Sequence, residues 1–513
     1  MQASDESAQA DRAEARFALV VTLAYAVAVI VLALRHELFR DEVRPLGIVI
    51  ASRSLGELFT NLRNEGHPAL WYLLLYGAYR IAGSMLVLKP IAAAIAIAAA
   101  WIFCRHAALP RWTRALFLFG QLPLYEYSVM CRNYGISMLL VFALAASYHE
   151  RWRRPLRMAI VLALLANTNA HSLILVAAFA SAISLDMLRH REHSSPLRLA
   201  LAAAIVLAAM AVSALVMAPD PTTIVTGVRA LTAGDLARAL GSALFAPTGF
   251  YQPLVGRAVE LVLRALLVGL LVVLCDRPRL ALALWLAAIA FAMFPLLIYA
   301  TSERHIGLFL VFAIALLWMR AVDESPAWAP PAWLARARRH VVRAGPLVGA
   351  LFLIAQIVLA GPDVIGDLTG QRSSIAALGE LLRGTPGLAD AIVIAEPDVF
   401  IEALPYYAPN RIYQPREGHF LLKVNLTTAN ARTLSLAKLM SAADEIAARE
   451  GRPIVLVIAH HLDAAGPFVL TYAYGKQFTY DPDSLARFRQ RATLMAPLRA
   501  SSGAENFDVY RWR

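Results

Sequence analysis

Carboxylate, arginine and histidine side chains occur in short polar stretches that interrupt long apolar runs of this sequence. Asp41 and Glu42 follow Arg40 just after the first apolar run. A carboxylate there could remove a proton from a hydroxyl group, although charges at a helix end often only mark the boundary with solvent. A second polar stretch, Glu65–Tyr72, contains His67 and opens another apolar segment, which favours a site in this part of the chain.

The stretch Tyr125–Gly135 carries Glu126 in the last turn of an apolar helix. A buried glutamate is costly unless it is paired or faces a water-filled cavity. Glu126 either forms a structural ion pair with Arg132 or positions a substrate or a metal ion. In the second case the planar guanidinium of Arg132 is suited to phosphate, and Asn133 and Tyr134 are candidate substrate contacts.

Two further polar stretches complete the set of candidates. Asn167–Ser172 includes His171 and lies at a tight turn between apolar runs, so its polarity is explained equally well by turn chemistry and by a binding role. Tyr299–His305 opens a later helix, where the helix dipole, Arg304 and His305 would favour an anion.

The elements that position these residues are helices in a membrane. Of the 513 residues, 59% are hydrophobic and only 16% are charged, far from the composition of a soluble domain. The formal net charge is +12, but the arginines cluster in short connections between apolar runs, as expected for cytoplasmic loops. We therefore expect no nucleic-acid partner.

Apolar runs long enough to cross about 30 Å of hydrocarbon predict an all-α polytopic membrane bundle with about eleven spans. The segment 67–85, rich in aromatic residues, and the shorter segment 57–64 are instead expected to lie along the membrane surface. The predicted spans are 17–35, 86–104, 113–129, 134–149, 156–170, 171–188, 198–218, 257–275, 279–300, 305–320 and 344–361.

The positions of the arginine-rich loops predict the orientation of the bundle. With Arg12 and Arg16 in the cytoplasm, the N-terminus is cytoplasmic and all the polar stretches described above fall on the outer face, as does the long loop 220–252. The loops expected inside are 105–114, 151–157, 189–198, 277–279 and 336–343.

The remainder of the chain, 362–513, is predicted to form a soluble α/β domain on the outer side. Strands are expected at 391–395, 454–459 and 507–510, with helices at 373–382 and 433–449. No glycine-rich nucleotide loop opens any of these helices, so the domain is interpreted as accessory.

The polar motifs over about residues 17–320 resemble those of the GT-C superfamily, in particular bacterial relatives of protein O-mannosyltransferases and of the aminoarabinose and galacturonic-acid transferases that modify lipid A. The second motif is similar to a His-Pro-Pro-Leu-Tyr-Tyr box, with Ala69 in place of the second proline. The matching segments are Arg40–Glu42, Glu65–Tyr72, Tyr125–Gly135, Asn169–His171 and Arg304–His305.

This resemblance implies a GT-C-like transmembrane catalytic domain at 1–361 in a bacterial inner (plasma) membrane. It implies transfer of a sugar from a polyprenyl-phosphate donor to a hydroxyl group of a glycan, lipid or protein at the periplasmic face, with inversion at the anomeric carbon. Asp41 would act as the general base, supported by Glu42, while Arg132 and Arg304 would stabilise the departing phosphate. Some relatives use a divalent metal ion, and Asp41 and Glu126 are candidate ligands for Mg²⁺ or Mn²⁺.

Two other classes of protein fit an apolar chain of this kind. A secondary transporter or lipid flippase usually has internal repeats and helices broken near the midplane, whereas this sequence has no clear repeat and its charges gather at one face. A membrane scaffold without catalytic activity would not need buried charges such as Glu126 and Arg132. A transferase is therefore the favoured interpretation.

Overall fold

The computed structural model describes residues 2–189, 195–224, 231–370, 373–466, 468–500 and 505–513. The first two thirds of these residues are almost entirely helical. The helices are α1 (Gln2–Arg35), α2 (Arg40–Ile50), α3 (Leu55–Asn61), α4 (Leu70–Ala82), α5 (Leu88–His106), α6 (Arg111–Leu118), α7 (Tyr134–Ser147), α8 (Pro155–Ala166), α9 (Ala170–Arg189), α10 (Pro196–Met217), α11 (Ala233–Phe245), α12 (Gln252–Leu274), α13 (Pro278–Leu297), α14 (Glu303–Ala321) and α15 (Ala332–Thr369).

The predicted membrane bundle is confirmed. Seven helical segments within the described residues are long and apolar enough to cross a membrane: Gln9–Arg35, Met85–His106, Ala170–Met187, Pro196–Met217, Pro278–Leu297, Glu303–Ala321 and a segment that contains α15. Each corresponds to one of the predicted spans. The other four predicted spans also contain helices, but these are too short or too polar to meet the same standard, so the total of eleven crossings stays a prediction.

The predicted span 113–129 is not one continuous helix. Helix α6 ends at Leu118, and a π-helix occupies Leu122–Val129. Pro123 has no backbone N–H to donate, and Gly120 has little preference for helix, so the regular hydrogen-bond pattern of α6 is interrupted here. The wider π-helical turns carry Glu126, and π-helices are frequent at functional sites.

The first predicted outer loop contains more helix than expected. Helices α3 and α4 lie in the two segments predicted for the membrane surface, and α4, with 13 residues, is about 20 Å long, too short to cross a bilayer. Helix α2 was not predicted, and neither was α11 in the loop 220–252. The sequence gives little indication of α2, because its helical pattern is brief and contains Pro45.

The α/β domain is confirmed, and its sheet is larger than the three predicted strands. Helix α15 runs past the predicted domain junction at 361/362 to Thr369. The helices of this part are α16 (Ser374–Gly384), α17 (Leu404–Tyr407), α18 (Leu436–Glu450) and α19 (Pro482–Arg491). The strands are β1 (Ile392–Glu396), β2 (Ile412–Gln414), β3 (His419–Phe420), β4 (Thr433–Ser435), β5 (Ile454–Ile458), β6 (Val469–Thr471), β7 (Gln477–Thr479), β8 (Ala492–Leu498) and β9 (Phe507–Trp512).

Six strands form a mixed sheet in the order β3-β2-β1-β5-β9-β8, and β4, β7 and β6 form a second sheet. Strand β1 pairs in parallel with both β2 and β5, while β9 runs antiparallel to β5. β1 and β5 are buried along their whole length, which explains why their apolar runs were recognisable in the sequence. The missed strands are mostly two or three residues long.

One hydrophobic core joins the α/β domain to α2 and α4, the helices between α1 and α5. Leu46 and Val49 of α2 and Leu75 of α4 belong to the same buried cluster as Val455 of β5 and Val509 of β9. This shared core fixes the position of the domain over α2 and α4, because separating the two parts would expose the apolar side chains of both to water.

A buried cluster of charges ties several helices of the bundle together. Arg151 lies 2.6 Å from Asp186 and 2.8 Å from Asp323, and Arg279 contacts both carboxylates. All four side chains are almost completely buried. Arg277 also lies 3.3 Å from Asp323. The buried charges of this cluster are therefore balanced by ion pairs rather than by water.

Replacing Asp323 with Asn should destabilise the bundle by about 3–5 kcal/mol, because it leaves buried arginine charge without compensation. The unfolding midpoint in detergent would measure this loss. Glu150→Gln is the matched control, since Glu150 forms only partly exposed pairs with Arg154 and Arg157 and should change stability by about 1 kcal/mol or less. Equal effects of the two substitutions would contradict a structural role for the buried cluster.

Candidate functional site

A cavity of about 140 Å³ lies where the membrane bundle meets the α/β domain. Its wall includes the N-terminal part of α2, the polar stretch before α4, and the connection between the π-helix and α7. The domain contributes to the wall as well. The lining residues are Asp41, Arg44, Pro45, Glu65, His67, Trp71, Tyr72, Arg132, Asn133, Leu426 and Tyr474.

Asp41 is surrounded by three arginines. Its Oδ1 lies 3.0 Å from Nε of Arg40, and its Oδ2 lies 3.3 Å from Arg132 Nη1 and 3.4 Å from Arg304 Nη2. Burial opposes the charge of the carboxylate, but the arginines, Arg132 first, outweigh this effect and hold the pKa of Asp41 well below its usual range. Asp41 is therefore ionised, and the three guanidinium groups leave an excess of positive charge around it.

Two helix N-termini bring these charges together. Asp41 is in the first turn of α2, and Arg304 is in the first turn of α14. The N-terminus of α14 is capped by Ser302 and His305, since the Ser302 N–H donates to His305 Nδ1 at 2.9 Å. The dipoles of both helices add to the positive potential of the arginines.

Glu42, predicted as the partner of Asp41 in catalysis, does not line the cavity. Its carboxylate is fully buried and accepts hydrogen bonds from the N–H of Phe39 at 3.1 Å and of Cys131 at 2.7 Å, and it pairs with His36 at 3.0 Å. On its other side, His36 lies 3.0 Å from Asp367 of α15. These contacts make Glu42 a link between α1, α2, α15 and the connection that carries Arg132.

His36 is held in its charged form by this network. Burial lowers the pKa of an imidazole, but Glu42 and Asp367 outweigh burial and raise the pKa of His36 to about 9. The charged imidazole then bridges two buried carboxylates.

Of the two interpretations of Glu126, the ion pair with Arg132 is not formed within the described residues, since Arg132 pairs with Asp41. Oε2 of Glu126 is buried and has no hydrogen-bond partner in the part of the chain that the structure describes. That part also contains no group of three or more His, Cys, Asp or Glu side chains that could hold a metal ion. A site for Mg²⁺ or Mn²⁺ at Asp41 and Glu126 stays a prediction.

The other predicted residues extend the site into the bundle. The ring centroids of His171 and His305 are 5.1 Å apart. The centroid of the His305 ring lies 5.5 Å from that of Tyr134 and 5.6 Å from that of Tyr299. Neither ring nitrogen of His171 has a hydrogen-bond partner among the described residues, although the side chain is buried. These rings form an aromatic group beside Arg304.

Hydrogen bonds to backbone carbonyls, one of them from a side chain, connect the remaining polar stretches. Asn133 donates to the carbonyl of Thr168 at 2.7 Å, and the N–H of Leu70 donates to the carbonyl of Asn167 at 3.1 Å. The structure thus brings all the polar stretches found in the sequence to one end of the bundle, as predicted. Their orientation toward the periplasm stays a prediction.

Sequence reasoning missed the contribution of the α/β domain. Arg44 of α2 forms an ion pair with Glu65 at 2.7 Å and another with Glu402 of the domain, and Leu426 and Tyr474 complete the cavity wall. The domain thus forms part of the cavity wall, which the sequence did not predict. No local signal marked these residues, because their role depends on how the domain docks.

Comparisons with known proteins identify no family for the chain. No protein-family model matches it, and no similar curated protein was found. Among solved structures, a crystal structure of ArnT from Cupriavidus metallidurans bound to undecaprenyl phosphate shares 13% identity, with a TM-score of 0.46 over 96% of this chain and 97% of that one.

The arabinofuranosyltransferase AftD from Mycobacteria shares 14% identity and a TM-score of 0.36, over 96% of this chain but only 40% of that chain. At these identities and TM-scores, neither likeness assigns an activity to this chain.

The raised pKa of His36 predicts how stability depends on pH. Because the folded-state pKa of about 9 exceeds the usual value of 6.5, the stabilisation is complete below about pH 6.5 and is lost as the pH rises through about 9. A shift of this size corresponds to about 3 kcal/mol. The unfolding midpoint of the wild-type protein in detergent should therefore fall over this range, and that of His36→Gln should fall much less.

His419→Gln provides the control, because the His419 side chain is 55% exposed. It should keep the pH dependence of the wild-type protein. A His36→Gln variant that keeps the wild-type pH profile would show that the imidazole is not the titrating group.

Proposed function

We propose that this protein is a membrane glycosyltransferase that moves a sugar from a polyprenyl-phosphate donor to a hydroxyl group of an acceptor. The acceptor would be a glycan, a lipid or a protein, and the reaction would take place at the periplasmic face of a bacterial inner membrane. The observation that carries the proposal is the carboxylate of Asp41, which lies in the cavity wall and is paired with Arg40, Arg132 and Arg304.

The charge of this cluster suits a lipid phosphate. One carboxylate cannot neutralise three guanidinium groups, so their remaining positive charge would attract a further anion. A phosphate monoester or diester accepts hydrogen bonds in the planar, paired geometry that arginine provides. The cluster also lies at the ends of membrane helices, where the phosphate of a lipid would be found while its tail stays in the bilayer.

The proposed reaction is a single displacement. The acceptor oxygen forms a bond to the anomeric carbon as the bond from that carbon to the phosphate oxygen breaks, and the acceptor proton passes to the carboxylate of Asp41. The electron pair of the broken bond leaves with the phosphate. Arg132 and Arg304 would stabilise the charge that grows there, and attack from the opposite side inverts the anomeric configuration.

The ion pairs of Asp41 suggest how donor binding would activate the base. A carboxylate held by three arginines is a weak base, because its pKa lies far below that of a base suited to neutral pH. A donor phosphate would compete with Asp41 for Arg132 and Arg304 and so weaken their hold on it. The carboxylate would then gain basicity only when a donor is bound, which limits the reaction to the complete complex.

Replacing Asp41 with Asn should reduce transfer by at least about a hundredfold, since an amide cannot accept the acceptor proton. Purified wild-type and variant proteins at equal concentration would be incubated with radiolabelled synthetic polyprenyl-phosphate sugars and membrane extract. The amount of labelled product would then be measured. Asp390→Asn is the control, because Asp390 is exposed and lies in the α/β domain before β1.

Undiminished transfer by Asp41→Asn would remove Asp41 from the role of base. A wild-type protein that transfers no sugar from any donor would contradict the transferase proposal. Movement of the labelled lipid across the membrane without transfer would favour the flippase alternative.

Replacing Arg132 with Gln should weaken donor binding by about ten- to a hundredfold, the loss expected for a charged hydrogen bond. It should also move the acid limb of kcat/KM to higher pH, because Arg132 is the largest of the charges that lower the pKa of Asp41. Titration of polyprenyl-phosphate binding and a pH profile of transfer would measure the two effects.

Arg63→Gln is the control, since Arg63 is an exposed arginine in the connection between α3 and α4 and does not line the cavity. It should leave both donor affinity and the pH profile unchanged. If Arg132→Gln weakened binding without moving the acid limb, the coupling between Arg132 and the base would be wrong.

A further inference from the structure

Tyr474 is the one aromatic residue that the α/β domain places in the cavity wall. It belongs to the turn between β6 and β7 and lines the cavity together with Asp41 and Arg132. Its neighbour in the wall from the same domain is Leu426. The two residues face a space whose other lining groups come from the membrane bundle and its first loop.

The backbone of Tyr474 is in a conformation that tyrosine rarely adopts. Its φ of 61° and ψ of 22° lie in the left-handed region, which is unfavourable for side chains other than Asn and Gly. Among the described non-glycine residues, only Asn64 also has a positive φ. Folding alone would favour Gly or Asn at this turn, and a strained residue beside a cavity is typical of a functional site.

Two buried ion pairs hold the turn in place. Lys476 Nζ lies 2.6 Å from Asp398, with both side chains buried. Arg416, itself paired with buried Glu396, donates to the carbonyl of Gln477 at 3.0 Å. Buried ion pairs often add little to stability, but these two fix the residues just after Tyr474. The N–H of Tyr472, just before the turn, donates to the carbonyl of Lys476 at 2.8 Å.

The positions of the arginines indicate which of the two substrates, the donor or the acceptor, would contact Tyr474. The arginines that would bind the donor phosphate come from the bundle, and the lipid tail must stay on that side. In an inverting displacement the acceptor attacks the face of the sugar away from the phosphate. A residue supplied by the domain rather than the bundle is therefore suited to the acceptor.

We propose that Tyr474 binds a sugar ring of the acceptor and helps to select it, an inference that rests on the proposed transferase function. The face of the phenol ring packs against the apolar face of a sugar, and its hydroxyl group forms a hydrogen bond with a sugar hydroxyl. The α/β domain thereby takes part in acceptor recognition, and the strained turn fixes the ring before the acceptor arrives.

Tyr474→Gly and Tyr474→Asn test this role, because both residues suit a left-handed backbone while lacking the ring. Neither variant should unfold at a lower temperature than the wild-type protein. Both should raise the half-saturating concentration of a bacterial membrane glycolipid fraction by about five- to tenfold. The affinity for polyprenyl phosphate without a sugar should stay within about twofold of the wild-type value.

Tyr474→Phe removes the hydroxyl group but keeps the ring, so it measures the contribution of the hydroxyl group alone. Phe468→Ala is the control for loss of an exposed aromatic residue, since Phe468 lies just before β6. The control should leave glycolipid saturation unchanged. An unchanged half-saturating concentration in Tyr474→Gly, with active wild-type protein, would overturn the role of Tyr474 alone. An equal loss of polyprenyl-phosphate affinity would assign Tyr474 to the donor instead, and absence of any wild-type transfer would overturn the transferase proposal and this inference together.

Discussion

The ion pairs of Asp41 with Arg132 and Arg304 are the interactions on which the candidate site depends. They join segments separated by 91 and 263 residues along the chain, so the site exists only when α2, the connection before α7 and α14 are packed together. Charges at the end of a membrane bundle are costly unless they are paired or hydrated. The arrangement of helices must therefore keep these few groups within a few ångströms of one another.

The buried network of Glu42, His36 and Asp367 supplies much of that arrangement. Glu42 is adjacent in sequence to Asp41 but accepts hydrogen bonds from groups in the protein interior, including the backbone N–H of Cys131, the residue next to Arg132. The same carboxylate thus fixes both the start of α2 and the segment that presents the arginine. The two adjacent carboxylates therefore have different roles. Asp41 lines the cavity, and Glu42 stabilises the packing of the helices and the connection that form it.

The sequence predicted those elements and site residues that a short stretch of chain marks by itself. It did not predict contacts between segments that are far apart in the chain. Long apolar runs and the fully buried strands β1 and β5 were recognisable because their patterns are continuous, and the polar stretches were recognisable because charge is rare in such runs. The role of Glu42 depends on partners that an isolated segment does not reveal. The break before the π-helix has a local cause in Gly120 and Pro123, but the apolar run continues across both residues and so predicted a single helix. The pairing of Arg44 with Glu402, 358 residues away, could not be predicted without the docked domain.

Docking of the α/β domain gives the site a wall that the bundle lacks. The shared apolar core places the domain over α2 and α4, and the pair between Arg44 and Glu402 fixes its approach at the edge of the cavity. Arg44 also contacts Glu65, so the same side chain links both polar stretches of the first loop to the domain. The geometry around Asp41 is therefore a property of the two parts together, and a bundle of this sequence without its domain would have an open and incomplete site.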